Sequence, residues 1–198
     1  MDNGIISIYW SLETKQSNKK YIPIEVGLTE GLIGKRVLLI KKGEQPLYNG
    51  VKNLQDFKKL NLVAGMGKAW FDVNIWEKNN LKYKESSGNW KSIFKMIPYG
   101  RDYNYISRGL NEVTNDAKKY PELQIENKLI FIYDRDFCFY LSKKGINAGA
   151  KYQKIIDRAI KHAQKSGLIH RLVNKYWSNT LTTLNYEKRI KIHLKMPK

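Results

Sequence analysis

One stretch of the chain has the residue types and spacing of an anion-binding turn: residues 62–72, Leu-Val-Ala-Gly-Met-Gly-Lys-Ala-Trp-Phe-Asp. The apolar run before Gly65 predicts a buried strand, and the apolar residues from Val73 onward have helical spacing. Gly65 and Gly67 allow a tight turn with close backbone approach. A strand–glycine–helix junction leaves backbone N–H groups at the positive end of the helix, where a carboxylate or phosphate can bind. The spacing matches neither a Rossmann fingerprint nor a P-loop, so an ordinary strand–helix turn stays an equal alternative.

The other reactive side chains do not form a recognisable catalytic or metal-binding pattern. The three histidines, His162, His170 and His193, are widely spaced and have no nearby cluster of cysteines or carboxylates. We expect His162 and His170 to lie on the surface. The single cysteine, Cys138, lies in an apolar run and is expected to be a small buried residue rather than a nucleophile. No catalytic triad is recognisable, and no cofactor is expected.

The composition is that of a folded and strongly basic chain. With 198 residues, 42% of them hydrophobic, the chain can form one core or two small lobes. Lys and Arg number 36 against 18 Asp and Glu, which gives a formal charge of +18, as in nucleic-acid or anionic-membrane binders. Because the lysines are spread along the chain, we expect a solvated basic surface. No apolar stretch is long enough to span a membrane, and the first seven residues do not read as a signal peptide.

Strands and helices must alternate to position the candidate turn. Strands are predicted at 5–10, 34–40, 62–64, 81–85, 100–106, 129–133 and 137–141. Helices are predicted at 51–60 with Asn53 as N-cap, 73–78, 87–97, from Ser107 to 112, 148–166 and 168–177. Residues 11–20 are predicted to be a loop and 184–198 a basic tail. The alternation predicts an α/β fold with a largely parallel sheet.

Three motifs, in this order, resemble the bacterial extracellular solute-binding proteins of family 3, and most closely a divergent branch of that family. They are Gly31-Leu-Ile-Gly-Lys-Arg-Val-Leu-Leu-Ile40, Gly65-Met-Gly-Lys-Ala-Trp-Phe-Asp72 and Gly100-Arg-Asp-Tyr-Asn-Tyr-Ile-Ser-Arg-Gly-Leu-Asn-Glu112. The resemblance covers nearly the whole chain. It implies an α/β, two-lobed fold like that of the type II periplasmic binding proteins.

By the same resemblance, residues 1–42 and 134–198 form lobe 1, and residues 43–133 form lobe 2. The family begins with a signal peptide and a strand–helix–strand unit ahead of the strand equivalent to residues 5–10. We therefore expect an N-terminally truncated chain in which lobe 1 is incomplete. The resemblance implies a monomer, whereas an exposed sheet edge in lobe 1 predicts reduced stability and self-association.

The resemblance implies a non-enzymatic protein, periplasmic or extracellular, that closes two lobes on a small polar or anionic, amino-acid-like solute. The solute would be passed to an ABC transporter permease or its presence signalled to a sensor. The implied ligand-binding positions are Trp10, Gly65, Gly67, Lys68, Ala69, Trp70, Ser107, Arg108 and Glu112. Residues 11–20 contain lysines but no arginine, so a bidentate clamp on a ligand carboxylate is not expected.

Several of these residues have a purely structural alternative. Trp70 is expected in the core more than in the cleft, and Asp72 is expected to cap the following helix. Arg108, read as the start of a helix, opposes the helix dipole, which indicates an anionic partner from inside or outside the chain. The alternative is an exposed pair between Arg108 and Glu112, four residues apart.

Two other classes of function stay open. The first is a dehydratase-like enzyme on the same fold, with Asp102 or Glu112 as the acid or base, although the sequence shows no paired carboxylates to support it. The second is nucleic-acid binding by the basic C-terminal helices, in which Tyr152, Tyr176 and Trp177 could stack on bases. A nucleic-acid partner is not expected, because these aromatic residues have the spacing of a helix core.

Overall fold

A computed structural model describes residues 1, 5–145 and 148–197, and its contacts divide the chain into two compact units. The first unit comprises Met1–Ile33 and Arg135–Ser178, and the second comprises Gly34–Asp134 and Asn179–Lys198. The chain therefore passes from one unit to the other three times. The resemblance placed residues 34–42, 134 and 179–198 in lobe 1, but all of them belong to the second unit, to whose sheet residues 34–42 and 179–198 supply strands.

The secondary structure follows the chain from an N-terminal strand to a C-terminal strand. The strands are β1 (Ile8–Leu12), β2 (Ile22–Ile24), β3 (Lys35–Lys41), β4 (Ala64–Met66), β5 (Tyr83–Glu85), β6 (Tyr105–Gly109), β7 (Leu123–Ile125), β8 (Leu129–Ile132), β9 (Phe137–Leu141) and β10 (Ile190–His193). The helices are α1 (Lys15–Lys20), α2 (Gln45–Tyr48), α3 (Leu54–Lys59), α4 (Phe71–Lys78), α5 (Ser92–Met96), α6 (Val113–Lys119), α7 (Gln153–Lys165) and α8 (Leu168–Thr183). Among the described residues, none of the helices is both long and apolar enough to cross a membrane.

The first unit is built on a three-stranded antiparallel sheet in the order β1-β9-β2. Helix α7 contacts β2. The Asp136 carboxylate, just before β9, accepts hydrogen bonds from the backbone N–H groups of Thr29 and Gly31 at 3.1 and 3.0 Å. Cys138 on β9 is 4% exposed, which confirms the prediction of a buried thiol. His162 and His170 are exposed, also as predicted.

The second unit has a mixed sheet in the order β10-β8-β3-β6-β4-β5, with β7 paired to β3. The β10–β8, β4–β6 and β4–β5 pairs are parallel, whereas β3 runs antiparallel to β6, β7 and β8. The prediction of a largely parallel sheet was therefore wrong for this strand and its neighbours. The core includes Tyr48, Phe57, Trp76 and Tyr105, and the indole Nε1 of Trp76 donates to the Tyr105 hydroxyl at 2.9 Å.

Several predicted elements have different bounds or types in the structure. Asn53 caps α3 as predicted, because its side chain accepts from the backbone N–H groups of Gln55 and Asp56. Ser107, predicted to cap a helix, lies inside β6 opposite Leu38 of β3. The predicted loop 11–20 contains helix α1, capped by the side chain of Thr14. The basic tail contains β10, which pairs with β8.

Candidate functional site

The predicted anion-binding turn lies between β4 and α4 in the second unit, but its glycines have structural roles. A Cβ on Gly65, which lies within β4, would collide with the Ile93 side chain. A Cβ on Gly67 would collide with the indole ring of Trp70. Packing is therefore sufficient to explain why both positions are glycine.

The turn already holds a carboxylate from its own chain. Ala69 has a left-handed backbone with φ of 61°, and its N–H donates to the Glu85 carboxylate at 3.1 Å. Glu85 ends β5, the strand parallel to β4, so the sheet places this carboxylate beside the turn. A ligand carboxylate at this N–H would have to displace Glu85.

Trp70 and Trp90 form an aromatic pair that flanks the guanidinium of Arg108. The two indole rings meet edge to face with centroids 5.0 Å apart. The Arg108 Cζ lies 5.7 Å from the Trp70 ring centroid and 5.1 Å from that of Trp90, within the range of cation–π attraction. Trp70 is partly buried against the core cluster, as the structural alternative predicted.

Two carboxylates from the following helical segment hold the same guanidinium. The Nε of Arg108 donates to Asp116 at 2.6 Å, and Nη2 lies 3.4 Å from the Glu112 carboxylate. Arg108 lies in β6 rather than at a helix start, so the predicted conflict with a helix dipole does not arise. The sequence allowed an anionic partner of Arg108 from inside or outside the chain, and the structure shows partners from inside it. Arg108 is 9% exposed, and two internal carboxylates compensate its charge.

Next to this cluster, Arg36 of β3 and Asp72 of α4 form a buried ion pair. Their closest atoms, Nη2 and Oδ1, lie 2.9 Å apart. The Tyr133 hydroxyl donates to the same carboxylate oxygen at 2.7 Å. Burial raises the pKa of Tyr133 well above its ordinary value, so this hydroxyl keeps its proton and remains a donor. Asp72 does not cap α4, which has Trp70 at its N-cap position without a side-chain hydrogen bond.

Ser107 and Glu112 join the two arginine clusters. The Nε of Arg36 donates to the Ser107 Oγ at 3.3 Å, and its Nη2 donates to the Ser107 carbonyl at 3.2 Å. The Glu112 carboxylate lies 3.8 Å from Nη1 of Arg36 and accepts from the Gly109 N–H at 3.2 Å. The three motifs that carry the family resemblance thus meet in one polar network, in which Arg36 comes from the first, Asp72 from the second, and Arg108 with Glu112 from the third.

The predicted site residues are divided between the two units. Gly65, Gly67, Lys68, Ala69, Trp70, Ser107, Arg108 and Glu112 lie in the second unit, where Lys68 is exposed on the turn. Trp10 lies on β1 in the first unit, 53% exposed, with its ring edge to face with that of Phe137. Their role in ligand binding stays a prediction.

Four residues of this region were missed by sequence reasoning: Glu85, Trp90, Asp116 and Tyr133. Each belongs to a segment with ordinary secondary-structure signals, and only the fold brings it to the motif residues. The position of Asp116, eight residues after Arg108, gives no local signal because the chain bends between β6 and α6. Asp102, a candidate acid or base, is exposed and pairs with Lys84. The described part of the chain holds no cluster of three or more potential metal ligands.

The chain was compared with known protein families, with curated proteins and with solved structures. No family profile matches the sequence, and no curated protein does. One similar structure is an amino acid ABC transporter substrate-binding protein from Streptococcus pneumoniae, bound to L-arginine. The match covers 85% of this chain and 66% of that protein, at 14% identity and a TM-score of 0.57. Another is the binding component of an ABC transporter from Wolinella succinogenes, complexed with lysine. The match covers 87% of this chain and 70% of that protein, at 13% identity and a TM-score of 0.60.

A third structure, an ancestral arginine-binding protein bound to glutamine, matches 83% of this chain and 67% of its own, at 15% identity and a TM-score of 0.56. This chain spans only 64% of the length of a Bacillus subtilis protein and 65% of an amino acid ABC transporter substrate-binding protein from Streptococcus pneumoniae that it also matches. At these identities the likeness concerns the fold. The chain has the mixed α/β fold of the two-lobed substrate-binding proteins of amino acid ABC transporters, and the resemblance predicted from the motifs is confirmed at that level.

Proposed function

We propose that this protein is a non-enzymatic binding protein for a small, polar, amino-acid-like solute, which it delivers to an ABC transporter or a sensor outside the cytoplasm. The observation that carries this proposal is the fold, because its solved neighbours are bound to arginine, lysine or glutamine. Fold alone does not define a ligand. The chemistry of the second unit is therefore needed to choose among solutes.

The surroundings of the β4–α4 turn favour a solute with an ammonium group over a purely anionic one. Glu85 already accepts the Ala69 N–H and places negative charge on the exposed side of the turn. Arg108, the cation predicted to meet an anion, is neutralised by Asp116 and Glu112. An ammonium group beside Glu85 would gain a charge-assisted hydrogen bond without displacing any internal contact.

The exposed parts of Trp70 and Trp90 supply the apolar surface that such a solute needs. Both rings are partly buried, and their mutual contact with Arg108 fixes their orientation. A preformed aromatic wall lowers the entropic cost of binding, because the side chains are ordered before the solute arrives. The aliphatic stem of a lysine, arginine or glutamine would pack on this wall.

Calorimetric titration with the twenty amino acids tests the proposal, starting with lysine, arginine and glutamine. We expect saturable binding of at least one of them and weaker binding to the Glu85→Gln variant. The matched control is Glu77→Gln, which removes an exposed carboxylate from α4 at a distance along the helix from the turn. The proposal fails if none of the amino acids binds, or if the two variants lose affinity equally.

The net charge of +18 supports a second candidate, binding of a nucleic acid by the basic surface. Such binding would weaken steeply with salt, because each neutralised phosphate releases counterions. Fluorescence anisotropy with a labelled oligonucleotide at several salt concentrations separates the two candidates. Product analysis of the amino-acid titrations covers the enzymatic alternative, since a binding protein returns its solute unchanged.

A further inference from the structure

A cavity in the second unit is lined by none of the residues predicted for solute binding. It has a volume of about 550 Å³, within the size range of small-molecule sites. One wall comes from α5 and the turn after it, through Phe94, Lys95, Pro98 and Tyr99. The other wall is residues 119–122, from the last residue of α6 to the start of β7.

The cavity is rigid at its base. The Phe94 and Tyr120 rings stack with centroids 4.3 Å apart and planes 10° from parallel. Phe94 is only 2% exposed, so the base of the cavity is anchored in the core. The second wall is tied to the sheet, because the Lys42 N–H donates to the Glu122 carbonyl and the Leu123 N–H donates to that of Tyr120.

Each wall presents a proline next to a tyrosine. Pro98 precedes Tyr99 on the first wall, and Pro121 follows Tyr120 on the second. Proline restricts φ at one position in each wall, which limits the backbone freedom of both walls. Tyr99 is 78% exposed, so its side chain is open to contact with a ligand at the edge of the cavity.

The charged residues of the cavity are two lysines and one glutamate. Lys95 and Lys119 are exposed, and the Nζ of Lys119 lies 6.0 Å from the Tyr120 ring centroid. Glu122 supplies the carboxylate. An aromatic interior with an excess of ammonium groups suits a ligand that is flat and negatively charged.

We propose that this cavity binds a planar aromatic anion, with its ring against Tyr99 and its anionic group near Lys95 and Lys119. A free phosphate would satisfy the lysines but leave the tyrosine and proline surfaces exposed to water. An aromatic cation would cover the rings and could pair with Glu122, but it would face two ammonium groups. The aromatic anion fits both properties. This site is independent of the solute-binding function proposed above.

Calorimetric titration with indole-3-acetate, an aromatic carboxylate, tests the site, and indole-3-acetamide is the neutral counterpart. We expect one saturable site for the acid and binding about tenfold weaker for the amide, because the amide loses the attraction of the lysines. Tyr99→Ala should weaken binding of the acid by about tenfold or more, the usual effect of removing an aromatic stacking partner. Because Tyr99 is exposed, this variant should fold normally.

The charge requirement has its own matched pair of variants. Lys119→Met removes a lysine of the cavity, and it should weaken the binding of indole-3-acetate but not that of indole-3-acetamide. Lys118→Met removes the exposed neighbour that does not line the cavity and should leave both affinities unchanged. The proposal is overturned if indole-3-acetate does not bind, if acid and amide bind equally, or if Tyr99→Ala binds like the unaltered protein.

Discussion

Arg36 and Asp72 form an ion pair that connects β3 to α4, with side chains that are 4% and 8% exposed. Burial is the largest single effect on the pKa of Arg36 and would lower it, but Asp72 and the neighbouring Glu112 and Tyr133 together outweigh burial, so the pKa is raised. Both residues belong to motifs that carry the resemblance to solute-binding proteins. Their contact shows that these motifs hold the β4–α4 turn against the sheet.

Removing one partner of this pair should destabilise the second unit strongly. Arg36→Met leaves the Asp72 carboxylate buried without its cation, which should lower the free energy of unfolding by about 3–5 kcal/mol. Urea denaturation followed by tryptophan fluorescence measures this change. The double variant Arg36→Met/Asp72→Leu should recover part of the loss, because no buried charge is left unpaired.

The control is the exposed pair on α7, in which the Lys161 Nζ lies 2.8 Å from Asp157 and the side chains are 54% and 34% exposed. Lys161→Met should cost no more than about 0.5 kcal/mol, the value typical of such pairs in a helix. Equal effects of Lys161→Met and Arg36→Met would show that burial does not strengthen the Arg36–Asp72 pair.

The packing role of Gly65 can be tested by measuring stability, which a role in ligand binding alone would leave unchanged. Gly65→Ala should lower stability by about 1–3 kcal/mol, because the added methyl collides with Ile93 and approaches the Tyr103 ring. Gly88→Ala is the control, since a Cβ there meets nothing within 4 Å. The double variant Gly65→Ala/Ile93→Leu should recover part of the loss by removing the colliding methyl. Thermal denaturation decides, and an unchanged melting temperature for Gly65→Ala would contradict the packing role.

Arg108→Lys tests the planar geometry of the guanidinium site, since lysine keeps the charge but loses the fork of donors. We expect a loss of about 1.5–3 kcal/mol, the contribution of a hydrogen bond between charged groups. Tryptophan emission should shift to longer wavelength as Trp70 and Trp90 lose their covering group. Arg101→Lys, at an exposed position, should change neither property. Unchanged emission from the Arg108 variant would show that the cation does not order the two rings.

Cys138 should make the stability of the first unit depend on pH in the alkaline range. Burial raises the pKa of its thiol from an ordinary value of 9.0 to about 11, because the folded protein disfavours the thiolate. The stability that this residue contributes is therefore complete below about pH 9 and is lost as the pH rises to about 11. Comparison with Cys138→Ala between pH 8 and 11 isolates this effect from other titrating groups. Parallel curves for the two proteins would contradict it.

The first strand should promote self-association. β1 ends the order of its sheet, and Ile8, Tyr9 and Trp10 on it are 40%, 51% and 53% exposed. Tyr9→Lys should reduce association, because charged side chains on an edge strand oppose pairing between molecules. Tyr99→Lys removes an equally apolar side chain that is not on a strand and serves as control. Light scattering across a concentration series measures the mass, and a monomer at all concentrations would refute the prediction.

The sequence predicted those elements whose signals are local. The strands near 34–40, 129–133 and 137–141 are continuous apolar runs, and the structure has strands at all three. Asn53 marks the start of α3 because the capping residue and the N–H groups it binds lie within three residues of each other. These contacts need nothing from the rest of the chain.

The missed features depend on partners that are distant in the sequence. The sequence predicted a helix start at Ser107 and Arg108, because Ser107 has the side chain of a helix cap. Their strand is stabilised by Arg36 and Asp116, which satisfy the polar groups after folding. The same holds for the candidate site, because Glu85 and Trp90 are distant in the sequence from the residues they contact there and only the fold brings them together. β10 is an exception, because Ile190, Ile192 and Leu194 alternate with Lys191, His193 and Lys195, which is a local strand signal that the prediction of a basic tail overlooked.

The pairing of β10 with β8 has a consequence for folding during synthesis. The Arg189 guanidinium donates to the carbonyls of Glu126 and Leu129, and these bonds attach the C-terminal segment to the start of β8 and the turn before it. Between β8 and β10, the chain builds the part of the first unit that runs from Arg135 to Ser178. The ribosome must therefore make this intervening segment before the sheet of the second unit can be completed. Until then the edge of β8 that pairs with β10 has unpaired backbone groups, and such edges make a nascent chain prone to aggregation.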